Sequence, residues 1–147
     1  MGLMADLGTG PVGVDTAVFI YFIEEDPRFL PLLEPLFREA DRGSRELVTS
    51  ALTLLEVLVV PYRAGNHLLA DQYEALLTRS RGIRVVDLSR EQLRAAALLR
   101  ATTGIKTPDA LQLSAAIGAR CGTFLTNDRH LPSMPGLQVR QLSAYLT

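Results

Sequence analysis

Apolar and polar positions along the chain switch between two periods, and each switch marks an element. Val12 to Val14 is a short apolar run that ends at Asp15 and predicts a strand. Thr16 to Glu25 carries Ala17, Val18, Ile20, Tyr21, Phe22 and Ile23, an apolar stretch of helical length. A second helix is predicted from Arg28 to Asp41, with Gly43 as its stop. Glu46 to Thr49 reads as a strand. Ser50 can cap a helix that runs to about Ala64, with Gly65 after it, and Pro61 inside that pattern should kink it. An amphipathic helix covers about Leu68 to Ser80, and Ile83 to Leu88 is the next strand. Ser89 and Gln92 stand at capping-box spacing and open a helix to about Thr102.

In the segment KTPDALQLSAA, Thr107 reads as the N-cap and Pro108 as the first helical residue, where a missing N–H costs nothing. Leu111, Leu113, Ala115, Ala116 and Ile117 continue an apolar helix that Gly122 can end. Thr123 to Thr126 is a strand entering Asn127-Asp128, and Leu137 to Leu142 is a last short strand. Strands separated by helical connections predict an α/β fold. The expected architecture is one Rossmann-like domain with a parallel sheet of about four or five short strands and helices on both faces. Residues 1–11 are glycine-rich and nonperiodic and read as a flexible extension, which leaves 12–147 as the domain.

Composition narrows the class. The chain has 147 residues, 48% of them hydrophobic, enough for a substantial core. Its net charge of −1 gives no overall attraction for a polyanion, so any nucleic acid must be met by a local patch or through metal ions. Lys106 is the sole lysine among 15 basic residues. The single cysteine, Cys121, excludes an intrachain disulfide and reads as a packed residue. MGLMADLGTGPVG lacks the basic start and apolar core of a secretory signal, and VFIYFI and LTLLEVLVV are too short to span a bilayer. A soluble, cytoplasmic, membrane-free setting is therefore expected.

Four carboxylates fall where chemistry is expected. In an open α/β sheet, ligands bind beyond the carboxyl ends of the strands. Asp15 follows the first strand, Asp128 follows TFLT, and Asp109 lies near a helix start that can face the same edge. Glu56 is the one charge in LTLLEVLVV, and a carboxylate among leucines and valines should not be buried without partners. Each also has a simpler use. Asp15 can be an N-cap, Asp128 a turn former, Asp109 a partner of the helix dipole, and Glu56 part of a solvent-facing stripe or an arginine pair. Asp87 also follows a strand, and its neighbour Ser89 assigns it to a loop.

The segments GVDTAVFIYFIE, TSALTLLEVLV, KTPDALQLSAA and FLTND, in that order, resemble the PIN domain. They look most like its small single-domain toxins of VapC type, which pair with an antitoxin. The resemblance covers nearly the whole chain from about Val12, and the extension before it departs from the usual pattern. It implies that Asp15, Glu56, Asp109 and Asp128 form the family's acidic quartet, with Thr16 and Thr126 supplying hydroxyls to the site. The activity implied is a metal-dependent endoribonuclease acting on single-stranded RNA. Asp15 and Asp109 would be the main ligands of Mg²⁺ or Mn²⁺, with Glu56 and Asp128 completing the shell. Carboxylate oxygens are hard ligands suited to these ions.

The implied partners are the RNA substrate, a cognate antitoxin and a second copy of the chain. The apolar helix from Thr16 to Glu25 covers more than one face, so an exposed apolar patch is expected beside it. Two alternatives stand beside the nuclease: a catalytically silent interaction module that keeps the fold, and a phosphoacceptor receiver domain. A receiver would need adjacent acids near the first strand and a lysine just after a late strand. This chain has one acid there, and Lys106 precedes a helix.

Overall fold

The computed structural model describes residues 2–147. Five strands, β1 (Val12–Val14), β2 (Leu47–Ser50), β3 (Ile83–Val86), β4 (Thr123–Thr126) and β5 (Gln138–Gln141), form one sheet in the order β3-β2-β1-β4-β5. Every pairing is parallel. Helix α1 (Leu3–Leu7) precedes β1, and six helices connect the strands: α2 (Thr16–Ile23), α3 (Leu30–Asp41), α4 (Leu52–Arg63), α5 (His67–Arg79), α6 (Arg90–Thr103) and α7 (Thr107–Gly118). A 3-10 turn at Leu142–Tyr145 closes the chain. The strand order runs outward from β1 to β3 on one side and from β4 to β5 on the other. The crevice at the carboxyl ends of β1 and β4 is therefore the switch point where such sheets bind ligands.

The pleat sends alternate residues to two cores. Val12, Val14, Leu47 and Leu125 face a layer built from α1 to α5, including Leu33, Leu36, Val57, Tyr73 and Leu77. Val48 and Phe124 face the opposite layer with Leu113 and Ala116 of α7. Gly13 of β1 faces that helix. A Cβ there would lie 2.6 Å from Phe124 Cδ1 and 2.8 Å from Ala116 Cβ. Glycine thus lets α7 approach the central strand closely enough to bring its N-terminal turn to the crevice.

Several boundaries differ from expectation. The N-cap of α7 is Lys106, with no side-chain bond, and Thr107 is the first helical residue. The Thr107 hydroxyl is engaged elsewhere, accepting from Arg100 Nη1 at 3.1 Å. The same helix stops at Gly118 rather than Gly122, because Arg120 takes a left-handed φ of 60° and Cys121 N–H closes onto the Ala116 carbonyl at 3.0 Å. Helix α4 continues through Pro61 to Arg63, so the proline falls in its last turn. Ser89 does cap α6, accepting from Gln92 N–H at 3.1 Å.

The expectation of a flexible extension at residues 1–11 is overturned for the residues described; Met1 lies outside them. Leu3 and Leu7, one helical turn apart, are buried in the core. The buried Arg45 guanidinium donates to the Gly10 and Gly8 carbonyls at 2.9 and 2.8 Å and to Glu39 Oε1 at 2.9 Å. Tyr145 Oη donates to Asp6 Oδ2 at 2.7 Å. A five-residue helix is too short to show a period in sequence, and its stability comes from these tertiary partners.

The apolar patch expected beside α2 is also absent. Val18 and Phe19 are buried, and Ile20, Tyr21, Phe22 and Ile23 pack against the core. Phe37 of α3 stacks on Phe22 with centroids 3.9 Å apart and meets Phe19 edge-on, while Phe29 stacks on Tyr21. The uncovered apolar surface lies instead on α4, with Leu55 61% and Val60 66% exposed beside Val59 and Tyr62, and on α6 at Leu93 and Leu98. Among the described residues no helix is long and apolar enough to cross a membrane.

Candidate active site

Asp15 sits one residue past β1 and serves two elements at once. Its N–H donates to the Leu125 carbonyl at 3.0 Å, extending the β1–β4 ladder by one bond. Its side chain caps α2, with Oδ1 accepting from Thr16 N–H at 2.8 Å. The other oxygen, Oδ2, accepts from Thr126 Oγ1 at 2.6 Å. The N-cap use and the site position are therefore compatible. The same Thr126 hydroxyl accepts from Asp128 N–H at 2.9 Å, so one buried side chain ties the Asp15 carboxylate to the Asp128 loop.

Asp128 forms the turn that Asn-Asp suggests: its Oδ1 accepts from His130 N–H at 2.9 Å. Its carbonyl accepts from Gln141 Nε2 at 2.9 Å, and Asn127 is held by Ser143 N–H and reaches Tyr21 Oη. Asp109 lies in the first turn of α7. It lines a cleft of about 530 Å³ together with Asp128, Lys106, His130, Ile105 and Pro132. Glu56 does not sit in the core. It is an exposed residue of α4 whose Oε1 accepts from Thr16 Oγ1 at 2.6 Å.

Electrostatics link the four. Burial pushes the Asp15 carboxyl above the ordinary aspartate range, against hydrogen bonds from Thr126 and Thr16 and with a further push from the Asp128 charge. Asp109 is raised as well, first by burial, then by the Asp128 and Asp15 charges, with Lys106 opposing and Glu56 adding. Asp109 therefore feels all three of the other acids, and Asp15 feels Asp128. Cys121 takes no part: it is buried at the end of α7, its thiol pushed up to about 12 by burial, and is a packing residue.

Among the described residues no three His, Cys, Asp or Glu side chains converge tightly enough for a closed coordination shell. The donor set is nevertheless suited to a hard divalent ion. Mg²⁺ keeps several waters and takes only one or two carboxylates directly. Asp15 and Asp109, both raised first by burial and then by neighbouring carboxylate charge, are the groups such a cation would relieve.

A polar cluster beneath Glu56 was not foreseen. Gln112, three residues after Asp109 and so on the same helix face, is buried with Thr49 and Thr53. It bonds to both threonines, to Thr16 Oγ1 and to Ser50 N–H. The available signal was a lone amide in the apolar run ALQLSAA.

The solved structures most relevant to this arrangement share the fold. VapBC2 from Rickettsia felis, bound to a DNA fragment from its promoter, superposes with a TM-score of 0.67 at 19% identity, over 89% of this chain and 98% of that one. A toxin-antitoxin complex from Klebsiella pneumoniae gives 0.63 at 17%, over 88% and 95%. DNA-bound VapBC from Salmonella typhimurium gives 0.61 at 20%, over 92% and 99%. No curated relative matches the chain by sequence. The PIN domain family matches residues 12–137, a span that begins at β1 and contains Asp15, Glu56, Asp109 and Asp128. The central strand that leads into Asp15, the helices that carry Glu56 and Asp109 and the loop that carries Asp128 all lie within it, and this chain belongs to the PIN domain family.

Proposed function

We propose that this chain is a metal-dependent endoribonuclease that hydrolyses phosphodiester bonds of single-stranded RNA, and that it is the toxin of a toxin–antitoxin pair. The observation that carries the nuclease reading is the gathering of four acids at the switch point of a parallel sheet: Asp109 and Asp128 line one cleft, Thr126 joins Asp15 to the Asp128 loop, and Thr16, beside Asp15, holds Glu56. Asp15 and Asp109 would hold Mg²⁺ or Mn²⁺, with Glu56 and Asp128 reaching it directly or through water. When bound, the cation supplies an attacking water of lowered pKa and neutralises charge on the phosphoryl oxygens. The chain's own part is positioning. Thr126 and the α2 N-terminus fix both oxygens of Asp15, Thr16 holds Glu56, and Lys106 and His130 border the cleft where a phosphate backbone would lie.

The toxin reading is supported by the three structural relatives, each a toxin-antitoxin or VapBC assembly. An antitoxin and a second copy of the chain are the partners inferred. The uncovered apolar residues of α4 and α6 are the surface available to them. The cytoplasm is the setting this reading entails.

The test is incubation of the purified chain with single-stranded RNA in Mg²⁺, in Mn²⁺ and in chelator, beside Asp109→Asn. Cleavage in metal alone, lost in the variant, is expected. Cleavage that persists in chelator or in Asp109→Asn overturns the assignment, and an inert parent chain favours the silent interaction module.

A further inference from the structure

We infer that Gln112 is a positioning residue for Glu56, acting through Thr53 and Thr16; this rests on the nuclease reading of the site. The direction of the hydrogen bonds carries the inference. Ser50 N–H can only donate, and it points at Gln112 Oε1 at 3.1 Å. That contact settles which end of the amide is oxygen. Thr49 Oγ1 lies 3.2 Å from the same oxygen and 2.7 Å from Thr53 Oγ1; its one hydrogen serves the shorter contact, which leaves the Thr53 hydrogen for Thr16. Gln112 Nε2 must therefore face the two other hydroxyls, and it donates to Thr53 Oγ1 at 2.7 Å and to Thr16 Oγ1 at 3.4 Å.

The consequence falls on Thr16. A hydroxyl has one hydrogen and two lone pairs. The lone pairs of Thr16 are met from inside, by Gln112 Nε2 and by Thr53 Oγ1 at 3.0 Å. Its one hydrogen is left for Glu56 Oε1, at 2.6 Å. The exposed carboxylate is thereby tied to three side chains that are fully or nearly buried: Thr49 at 1%, Thr53 at 0% and Gln112 at 3% exposure. Thr16 and Glu56 are 40 residues apart, and Gln112 and Thr16 are 96 apart. The cluster thus joins β2, α2, α4 and α7 at one point. Gln112 shares α7 with Asp109, so the same helix that presents one acid also sets the orientation of another.

A solvent-facing glutamate would otherwise sample many rotamers. A chain of hydrogen bonds running outward from a buried amide holds it toward the crevice. Partners that orient metal-binding carboxylates in this way change metal affinity or activity by roughly 10- to 100-fold when removed.

The experiment uses the full chain with Thr53→Val, which keeps shape and removes the hydroxyl, Thr53→Ser, which restores it, and Gln112→Met. Each is made in the parent and in Glu56→Gln. Three quantities are read: Mn²⁺ affinity by calorimetry, RNA cleavage, and the Glu56 side-chain position in crystals of parent and variants. Thr53→Val and Gln112→Met are expected to weaken Mn²⁺ binding and cleavage by roughly 10- to 100-fold, with Glu56 displaced. Thr53→Ser is expected to match the parent, and in the Glu56→Gln background Thr53→Val should change both readouts by less than about twofold. Full additivity in Glu56→Gln, or Glu56 unmoved in Gln112→Met, overturns the inference. A parent chain that binds no Mn²⁺ and cleaves no RNA defeats the nuclease reading instead, and the crystallographic position of Glu56 still judges the positioning role.

Discussion

Thr126 Oγ1 donates to Asp15 Oδ2 at 2.6 Å, across 111 residues of sequence and the shared edge of β1 and β4. The same oxygen accepts from Asp128 N–H at 2.9 Å, so this buried hydroxyl couples two acids on neighbouring strand ends. Thr126→Val keeps the shape and removes both bonds. It is expected to cost about 1–3 kcal/mol, read from urea unfolding, because a charged acceptor and a backbone donor lose their partner. RNA cleavage should fall with it. A variant of parental stability and activity would show that Asp15 is held adequately by its α2 cap alone.

Asp109 gives a pH-dependent test without metal. Its carboxyl titrates above the ordinary 3.8 in the folded chain, raised by burial and by Asp128 and Asp15. The folded state therefore prefers the protonated form. The stability tied to that proton is fully present below the unfolded value, 3.8, and is lost as pH rises through the folded value. At neutral pH in chelator, Asp109→Asn is expected to melt above the parent, and the gap should close as pH falls below about 3.8. The check is a series of melting curves for both proteins. A gap independent of pH would place its origin outside charge repulsion.

Metal should stabilise the fold through the same acids. A ligand that binds only the folded state adds about 2.7 kcal/mol at a hundred times its dissociation constant. The parent is expected to gain melting temperature with Mg²⁺ or Mn²⁺, and Asp15→Asn to gain much less. Differential scanning calorimetry across a metal titration reads this directly. Equal shifts in the two proteins would assign the effect to non-specific ions.

The N-terminal helix is expected to be part of the fold. Leu7 is 5% exposed in the main core, and truncating a buried leucine costs about 2–5 kcal/mol. Leu7→Ala should lower stability by an amount near the lower end of that range, since the site lies at the edge of the chain. Deleting residues 2–10 should cost more, because both buried leucines, Leu3 and Leu7, are lost and Arg45 loses both carbonyl partners. Chemical unfolding of both variants is the measurement. Parental stability in either would mean that α1 contributes nothing.

The uncovered rows on α4 and α6 predict association. The purified chain is expected to have the mass of a dimer in solution, and to copurify with the product of a small adjacent reading frame that suppresses cleavage. Val60→Glu, on a residue 66% exposed, should leave the melting temperature within about 2 °C of the parent and weaken one of these contacts. A monomer that retains nothing on coexpression removes the toxin reading and leaves the nuclease untouched.

Local pattern determined much of this protein. The limits of β1 and β4, the Ser89 cap and the placement of Asp15 and Asp128 beyond strand ends follow from periodicity and turn chemistry that a short window contains. The parallel order of the elements followed from their alternation. What a window cannot contain is the partner of each buried face. The pattern of α2 states that it is apolar on several sides, but only Phe29, the N-cap of α3, and Phe37 within α3 decide that those sides are covered. Leu3 and Leu7 make too short a pattern to predict a helix, and Arg45, 35 residues beyond Gly10, decides that it docks. Gln112 is one amide in an apolar run until the fold brings Ser50, Thr49, Thr53 and Thr16 around it. Hydrogen-bond partners and charge repulsion depend on distances of a few ångströms between residues far apart in sequence. Tertiary packing alone sets those distances.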